Sequence, residues 1–534
     1  MATSLLFAVV LLAAPGVESG RASAFESPAE VAPQGKLDEL VFGRLKQLGI
    51  QPAAVCSDAV FVRRAYLDVI GTLPTPDEVR QFLADKDANK RRTLVDRLLA
   101  RDEFADYWAM KWSDLLRVKA EFPINLWPHA AQAYHRWIRA SIQSNMPYDQ
   151  FARELLTANG SNFRVPQVNF YRAMQNREPK AIAQAVALTF MGARAEKWPP
   201  ARLAGMAAFF EEITYKSTAE WKEEIVFFDP ERAAARAVNP AVKAPSHSAV
   251  FPDGTPAAIR PGRDPRAVLV DWLIGPDNPW FTKNIVNRVW SWLVGRGIIH
   301  EADDIRPDNP PSNPELLAYL EQEFLRSRYD LKSLYRLILT SKTYQLSSVS
   351  RSDKAEAAAN FAKYPLRRLD AEVLIDALCQ ITGTTERYSS IVPEPFTYIP
   401  ENYRSIALPD GSITSAFLEQ FGRPARDSGL EAERINRTTA NQRLHLLNSS
   451  HIRQKIEQSP KLKALMKSGG EPRAIVTELY LTILSRMPSE AELQTPGVVP
   501  AAPRPGRGGK LRDPPVPADL VWAMINSSEF LYRH

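Results

Sequence analysis

Residues 278–317, NPWFTKNIVNRVWSWLVGRGIIHEADDIRPDNPPSNPELL, constrain the fold of this chain more than any other stretch. The periodicity predicts an amphipathic helix that ends at Gly-Arg-Gly, followed by an acidic, proline-braced loop and a second helix. Ile285, Val286, Val289, Trp290, Trp292 and Leu293 fall on one apolar arc, and Asn284, Asn287, Arg288 and Ser291 on the opposite one. A solvated face favours Lys and Glu, because Asn is a poor helix former. The Asn-Asn-Arg-Ser stripe therefore reads as a set of fixed hydrogen-bonding groups.

Elsewhere the chain shows repeated helical periodicity broken by Pro and Gly, with few runs of period two. The expected class is mainly α, with two helical domains at 37–228 and 266–534. A Pro/Ala-rich linker at 229–265 joins them and carries at most a short β-hairpin. With 534 residues, several domains are expected, and the 42 prolines and 11 tryptophans point to rigid loops between helices anchored by bulky aromatics. An internal echo supports this organisation. Thr75 and Glu78, and again Ser489 and Glu492, have the spacing of a capping box, and each unit later reaches a Glu-Phe pair, at Glu103 and Glu529. Good turn chemistry shared by two unrelated helical hairpins explains the echo equally well.

The first residues read as an export signal. Leu5 to Ala14 is an apolar run too short to span a bilayer, and Ala22-Ser23-Ala24 forms an A-x-A cleavage site, so residues 1–24 are expected to be removed. A retained N-terminal anchor is the rival reading. No later segment is apolar enough to cross a membrane. The net charge of +6 is small for a chain of this size and gives no reason to expect nucleic acid as a partner. The only cysteines, Cys56 and Cys379, are far apart and fit either a disulfide or two separate thiols.

Several blocks resemble a secreted two-domain family common in planctomycetes, whose function is unassigned. They include CSDAVFVRRAYLDVIGTLPTPDEV from Cys56, EFADYWAMKWSDLLRV from Glu103 and NFYRAMQNREPKAIAQAVALTFMG from Asn169. The 278–317 block, YDLKSLYRLILTSKTYQ and QRLHLLNSSHI carry the likeness through the second half. The first domain of that family is associated with planctomycete cytochrome c, and the second is its C-terminal domain. Many relatives carry Cys-x-x-Cys-His-x-His-Pro after the helix corresponding to Ala183–Gly192, whereas Phe190 to Phe210 here contain neither Cys nor His. Some relatives also carry Cys-x-Cys where this chain has Leu430 and Ala432. Haem attachment needs both cysteines and the axial His, so no haem is expected.

The remaining candidate chemistry lies in the acidic loop. Asp303 or Asp304 is expected to pair with Arg288 or Arg296, clamping the loop to its helix. The alternative gives Glu301, Asp303, Asp304, Asp308, Asn309 and Asn313 to a calcium ion, although the loop lacks regular D-x-D-x-D-G spacing. His445, on a helix among Leu444, Leu446 and Leu447, reads as a hydrogen-bonded core imidazole. No histidine pair has local zinc spacing, and no nucleophile elbow, P-loop or H-E-x-x-H is present. The candidate binding residues are thus Asn284, Asn287, Arg288, Arg296, Asp303, Asp304, Asp308, Asn309 and His445, with no metal site. The functional expectation is a binding or scaffold protein of the cell envelope, partnered by an envelope protein or an extracellular polysaccharide. A hydrolase or lyase acting on an extracellular polymer is the alternative, and a redox partner that has lost its haem motif comes last.

Overall fold

The computed structural model describes residues 24–28, 30–231, 248–260, 262–399, 401–467, 471–495 and 518–534. The expected signal segment, apart from Ala24, lies outside the described residues, as do residues 232–247 (with His247) and 261 of the linker and most of the 494–517 loop. Helices dominate what is described, and no strand there exceeds five residues, so the chain is mainly α as its periodicity predicts.

The caps form where the sequence places them. Thr75 and Glu78 make a reciprocal capping box at the helix Pro76–Ala84, and Ser489 and Glu492 make the other at Glu490–Gln494. The echo extends to ion pairs. Arg101 bridges Glu78 and Glu103, while Arg486 bridges Glu492 and Glu529. The two units also touch, through an ion pair between Arg80 and Glu478.

The β-structure departs from expectation. A three-stranded antiparallel sheet places Glu224–Phe228 between Gly160–Ser161 and Ile213–Ser217, ahead of the linker and inside the first helical region. The sequences ITYKS and EIVFF supply the β-branched and aromatic residues that suit a pleated, half-buried surface. In the described part of the linker, a single bridge between Val250 and Pro256 closes around Gly254, whose φ of +95° suits a residue without a Cβ. A two-residue ribbon, Arg367–Arg368 with Tyr532–Arg533, brings the end of the chain to the centre of the molecule.

The two halves share one hydrophobic core, continuous from Leu37 to Phe530. Tyr148 of the first half stacks on Phe281 of the second at 4.7 Å between ring centroids, and Trp108 packs on Tyr335 at 4.5 Å. Of the aromatic residues in the Tyr107–Trp137 stretch, Tyr107, Trp108, Trp112 and Tyr134 are buried, whereas Trp127 is half-exposed against Trp221 and Phe396. Buried cations cross the same boundary. The Arg63 guanidinium donates to the Ile483 carbonyl at 2.8 Å and the Phe530 carbonyl at 3.0 Å. Its neighbour Arg64 donates to the carbonyls of Tyr344 and Leu346. Cys56 and Cys379 are free thiols.

Because Arg63 satisfies acceptors contributed by the far end of the chain, Arg63→Ala strands those carbonyls in the interior. Urea denaturation should show a loss of about 3–5 kcal/mol. Fluorescence and circular dichroism should report one coincident transition for both halves in the parent protein. Two separated transitions, with Arg63→Ala affecting neither, would contradict the shared core.

Candidate functional site

The helix Phe281–Val294 is buried on both of its arcs, which is why its polar stripe is not a solvated face. Asn284 donates to the Thr189 carbonyl at 2.9 Å. The Asn287 amide clasps Ile299 twice, accepting from its N–H and donating to its carbonyl, each at 2.9 Å. Arg288 donates to the Thr189 carbonyl at 2.9 Å and to Asp303 Oδ1 at 2.5 Å. The expected clamp thus forms through Arg288 and Asp303, and it also grips the end of the helix Pro179–Met191 in the first half. That close approach needs Gly192. At φ +59° it sits where an added Cβ would lie 2.6 Å from Asn284 Oδ1.

The other sequence candidates lie elsewhere. Asp304 and Asp308 both accept from Arg306, at 3.1 and 3.0 Å, and Asn309 donates to the carbonyls of His300 and Asp304. A calcium ion at these carboxylates would compete with Arg306. Arg296 is half-buried beside His300 and takes no part in the clamp. His445 corrects the expectation of a hydrogen-bonded core imidazole. It is half-buried, edge-on to Phe417 and Phe421, and its Nε2 has no hydrogen-bond partner, while Leu444 and Leu447 are exposed. The apolar neighbours in sequence mostly face away from the core, so they do not report the environment of the imidazole.

The last member of the stripe, Ser291, faces different chemistry. With Trp292 it walls a cavity of about 150 Å³ that also includes Tyr107 and Lys111 from the helix Asp102–Leu115. Arg367 and Asp370, Glu431 and Arg434, and Arg533 near the C-terminus complete its charged lining with Asp114. Asp370 is fully buried and saturated. Its Oδ2 accepts from Tyr107 at 3.1 Å, Lys111 at 3.0 Å and Arg533 at 2.9 Å, and its Oδ1 accepts from Asn436 at 2.9 Å. Arg434 binds Asp114 at 2.6 Å and Glu372 at 2.6 Å, and Arg426 binds Asp114 at 2.9 Å. Clamp and cavity are joined, because the Glu431 N–H donates to Asp303 Oδ2 at 2.8 Å.

The two carboxyl groups of the cavity are driven in opposite directions. Burial pushes Asp370 up, but Lys111, Arg533 and Arg434 together hold it well below the usual carboxylate range. Burial and the negative charge of Asp303 push Glu431 up to about 7, against the pull of Arg288, Lys111 and Arg434. Burial also lowers the pKa of Lys111, with Arg434 adding to the effect. Of the cavity lining, only Ser291, Trp292 and Gly295 fall in the block that the sequence singles out, and the rest comes from four other separated stretches. One local signal was available: Tyr107, Lys111 and Asp114 share a helix face at i, i+4 and i+7.

A charged cavity enclosed by two helical halves of one core defines a two-domain helical protein whose domains meet at the candidate site. Comparison with known families finds two consecutive matches. Residues 36–198 match PSCyt2, a protein of unknown function (DUF1549), and residues 265–497 match PSD1, a protein of unknown function (DUF1553). The chain belongs to the family that carries the planctomycete cytochrome c-associated domain followed by the C-terminal domain, in that order. No curated protein and no solved structure matches it. Among the described residues, no helix is long and apolar enough to cross a membrane.

Two outcomes test this geometry. Arg288→Ala leaves Asp303 buried without its cation and should cost about 3–5 kcal/mol in chemical denaturation, with Arg288→Lys recovering only part. A result within experimental error of the parent would remove the clamp from the account. For Glu431, the folded pKa of about 7 stands above the ordinary value of 4.5. Its contribution is therefore fully present below pH 4.5 and is lost as pH rises through about 7. Glu431→Gln should remove that slope, gaining on the order of 3 kcal/mol relative to the parent between pH 4.5 and 8 in parallel urea titrations.

Proposed function

We propose that this is an exported, non-enzymatic binding protein of the cell envelope, and that the cavity between its two family domains is its ligand site. One observation carries the reading. Four residues lining the cavity keep a buried polar atom with no hydrogen-bond partner in the protein: Glu431 Oε2, Asn436 Oδ1, Arg367 Nε and Arg533 Nε. Buried polar atoms are rarely left unmatched, because each costs about 1–3 kcal/mol. Together they ask for a small molecule that offers both donors and acceptors. About 150 Å³ is the size of cavity that admits one six-membered ring. Export rests on the apolar run and A-x-A site of residues 1–24 and on the family likeness.

Binding is favoured over catalysis because the strongest groups are engaged with each other. No His or Cys lines the cavity, and Asp370 is surrounded by four donors. A hydrolase or lyase acting on an extracellular polymer is the second reading. It draws on the opposed shifts of Asp370 and Glu431, the pattern of a base and an acid in one site.

Isothermal titration with glucuronate and with glucose tests the proposal. Saturable binding of glucuronate should be seen in the parent and lost in Ser291→Leu, which fills the cavity from its half-exposed wall with an unchanged melting temperature. Failure of both sugars to bind would count against the small-ligand reading. Turnover of a polymer, abolished by Glu431→Gln, would instead establish the hydrolase or lyase.

A further inference from the structure

A second site lies on the surface, on the other side of the acidic loop from the clamp. It is a groove of about 630 Å³, within the range typical of ligand pockets. One wall comes from Arg194, Lys197, Trp198 and Arg202, in the segment where relatives carry Cys and His. The other comes from Trp280 and Lys283 and the loop Asp304–Pro311. Two aromatic rings and a cation form a composite platform. The Arg202 guanidinium lies 4.1 Å from the Trp198 ring centroid and 5.5 Å from that of Trp280. Five prolines brace the rim, namely Pro199, Pro279, Pro307, Pro310 and Pro311, so little ordering is needed on binding.

The charges are unequal. Arg306 is engaged by Asp304 and Asp308, and Arg194 by Glu301. Lys197, Arg202 and Lys283 have no ion pair with a described residue, which leaves the groove cationic. Its carboxylates nevertheless remain as acceptors for hydroxyl donors. The geometry points to a binding groove for an anionic saccharide chain, in which Trp198 and Trp280 receive the apolar faces of sugar rings. Lys197, Arg202 and Lys283 receive the sulfate or carboxylate substituents, and Asp304 and Asp308 accept from ring hydroxyls. Polyphosphate and DNA backbones satisfy the cations but bring no hydroxyl donors to Asp304 and Asp308, and polyphosphate offers nothing to the rings. This site is independent of the cavity around Asp370.

The test is titration of the full chain with dextran sulfate, unmodified dextran and polyphosphate of matched charge density. Dextran sulfate should bind more tightly than polyphosphate, and unmodified dextran should bind weakly. Trp198→Ala and the exposed-site variant Lys197→Glu should each weaken dextran sulfate about tenfold, with melting temperatures unchanged. Ser291→Leu should leave that binding unaltered, which separates this groove from the central cavity. Equal affinity for dextran sulfate and polyphosphate, with Trp198→Ala indifferent, would reduce the groove to plain charge attraction and overturn the assignment. Absence of binding by dextran sulfate would do the same. If Trp198→Ala fails to fold, the response of Lys197→Glu decides.

Discussion

A carboxylate with no access to water, Asp370, sets the terms for the rest of the molecule. An unpaired ion in that position would cost several kcal/mol, so its donors must be delivered together. Lys111 and Tyr107 come from the first half, Asn436 from a loop of the second, and Arg533 from the end of the chain. The ribbon between Arg367–Arg368 and Tyr532–Arg533 holds that end in place. Fold and candidate site are consequently one construction, since the residues that neutralise Asp370 also wall the cavity.

The clamp is the second layer of the same arrangement. Arg288 reads the end of a first-half helix with one part of its guanidinium and Asp303 with another, and Asp303 in turn fixes the backbone of Glu431. Burial and the negative charge of Asp303, against the pull of Arg288, Lys111 and Arg434, leave Glu431 nearly balanced between its two protonation states at neutral pH. A side chain held in that condition responds to whatever enters beside it, because a cation or hydrogen-bond donor favours the ionised form and an acceptor favours the neutral one.

Local features of this fold were legible in the sequence because they depend on neighbours in the chain. The capping boxes at Thr75 and Ser489, the mainly helical class and a clamp between Arg288 or Arg296 and Asp303 or Asp304 follow from spacing and residue chemistry, and the structure selects Arg288 with Asp303. The sheet at Ile213–Phe228 was missed because its two longer strands are five residues each and show no clean alternation of burial. The cavity was beyond reach for a different reason. Its charged residues run from Lys111 to Arg533, and the shift at Glu431 arises from burial, which no residue pattern displays. His445 shows the converse error, where apolar neighbours in sequence suggested a core that the helix turns away from.

The most direct measurement is a carbon-13 NMR titration of the side-chain carboxyl groups, with Glu431 assigned through Glu431→Gln and Asp370 through Asp370→Asn. Glu431 should titrate near pH 7, while Asp370 stays ionised to the lowest pH at which the fold survives. Titration of both groups at ordinary carboxylate values would mean that water reaches the cavity freely, and would contradict the buried, divided charge on which the account depends.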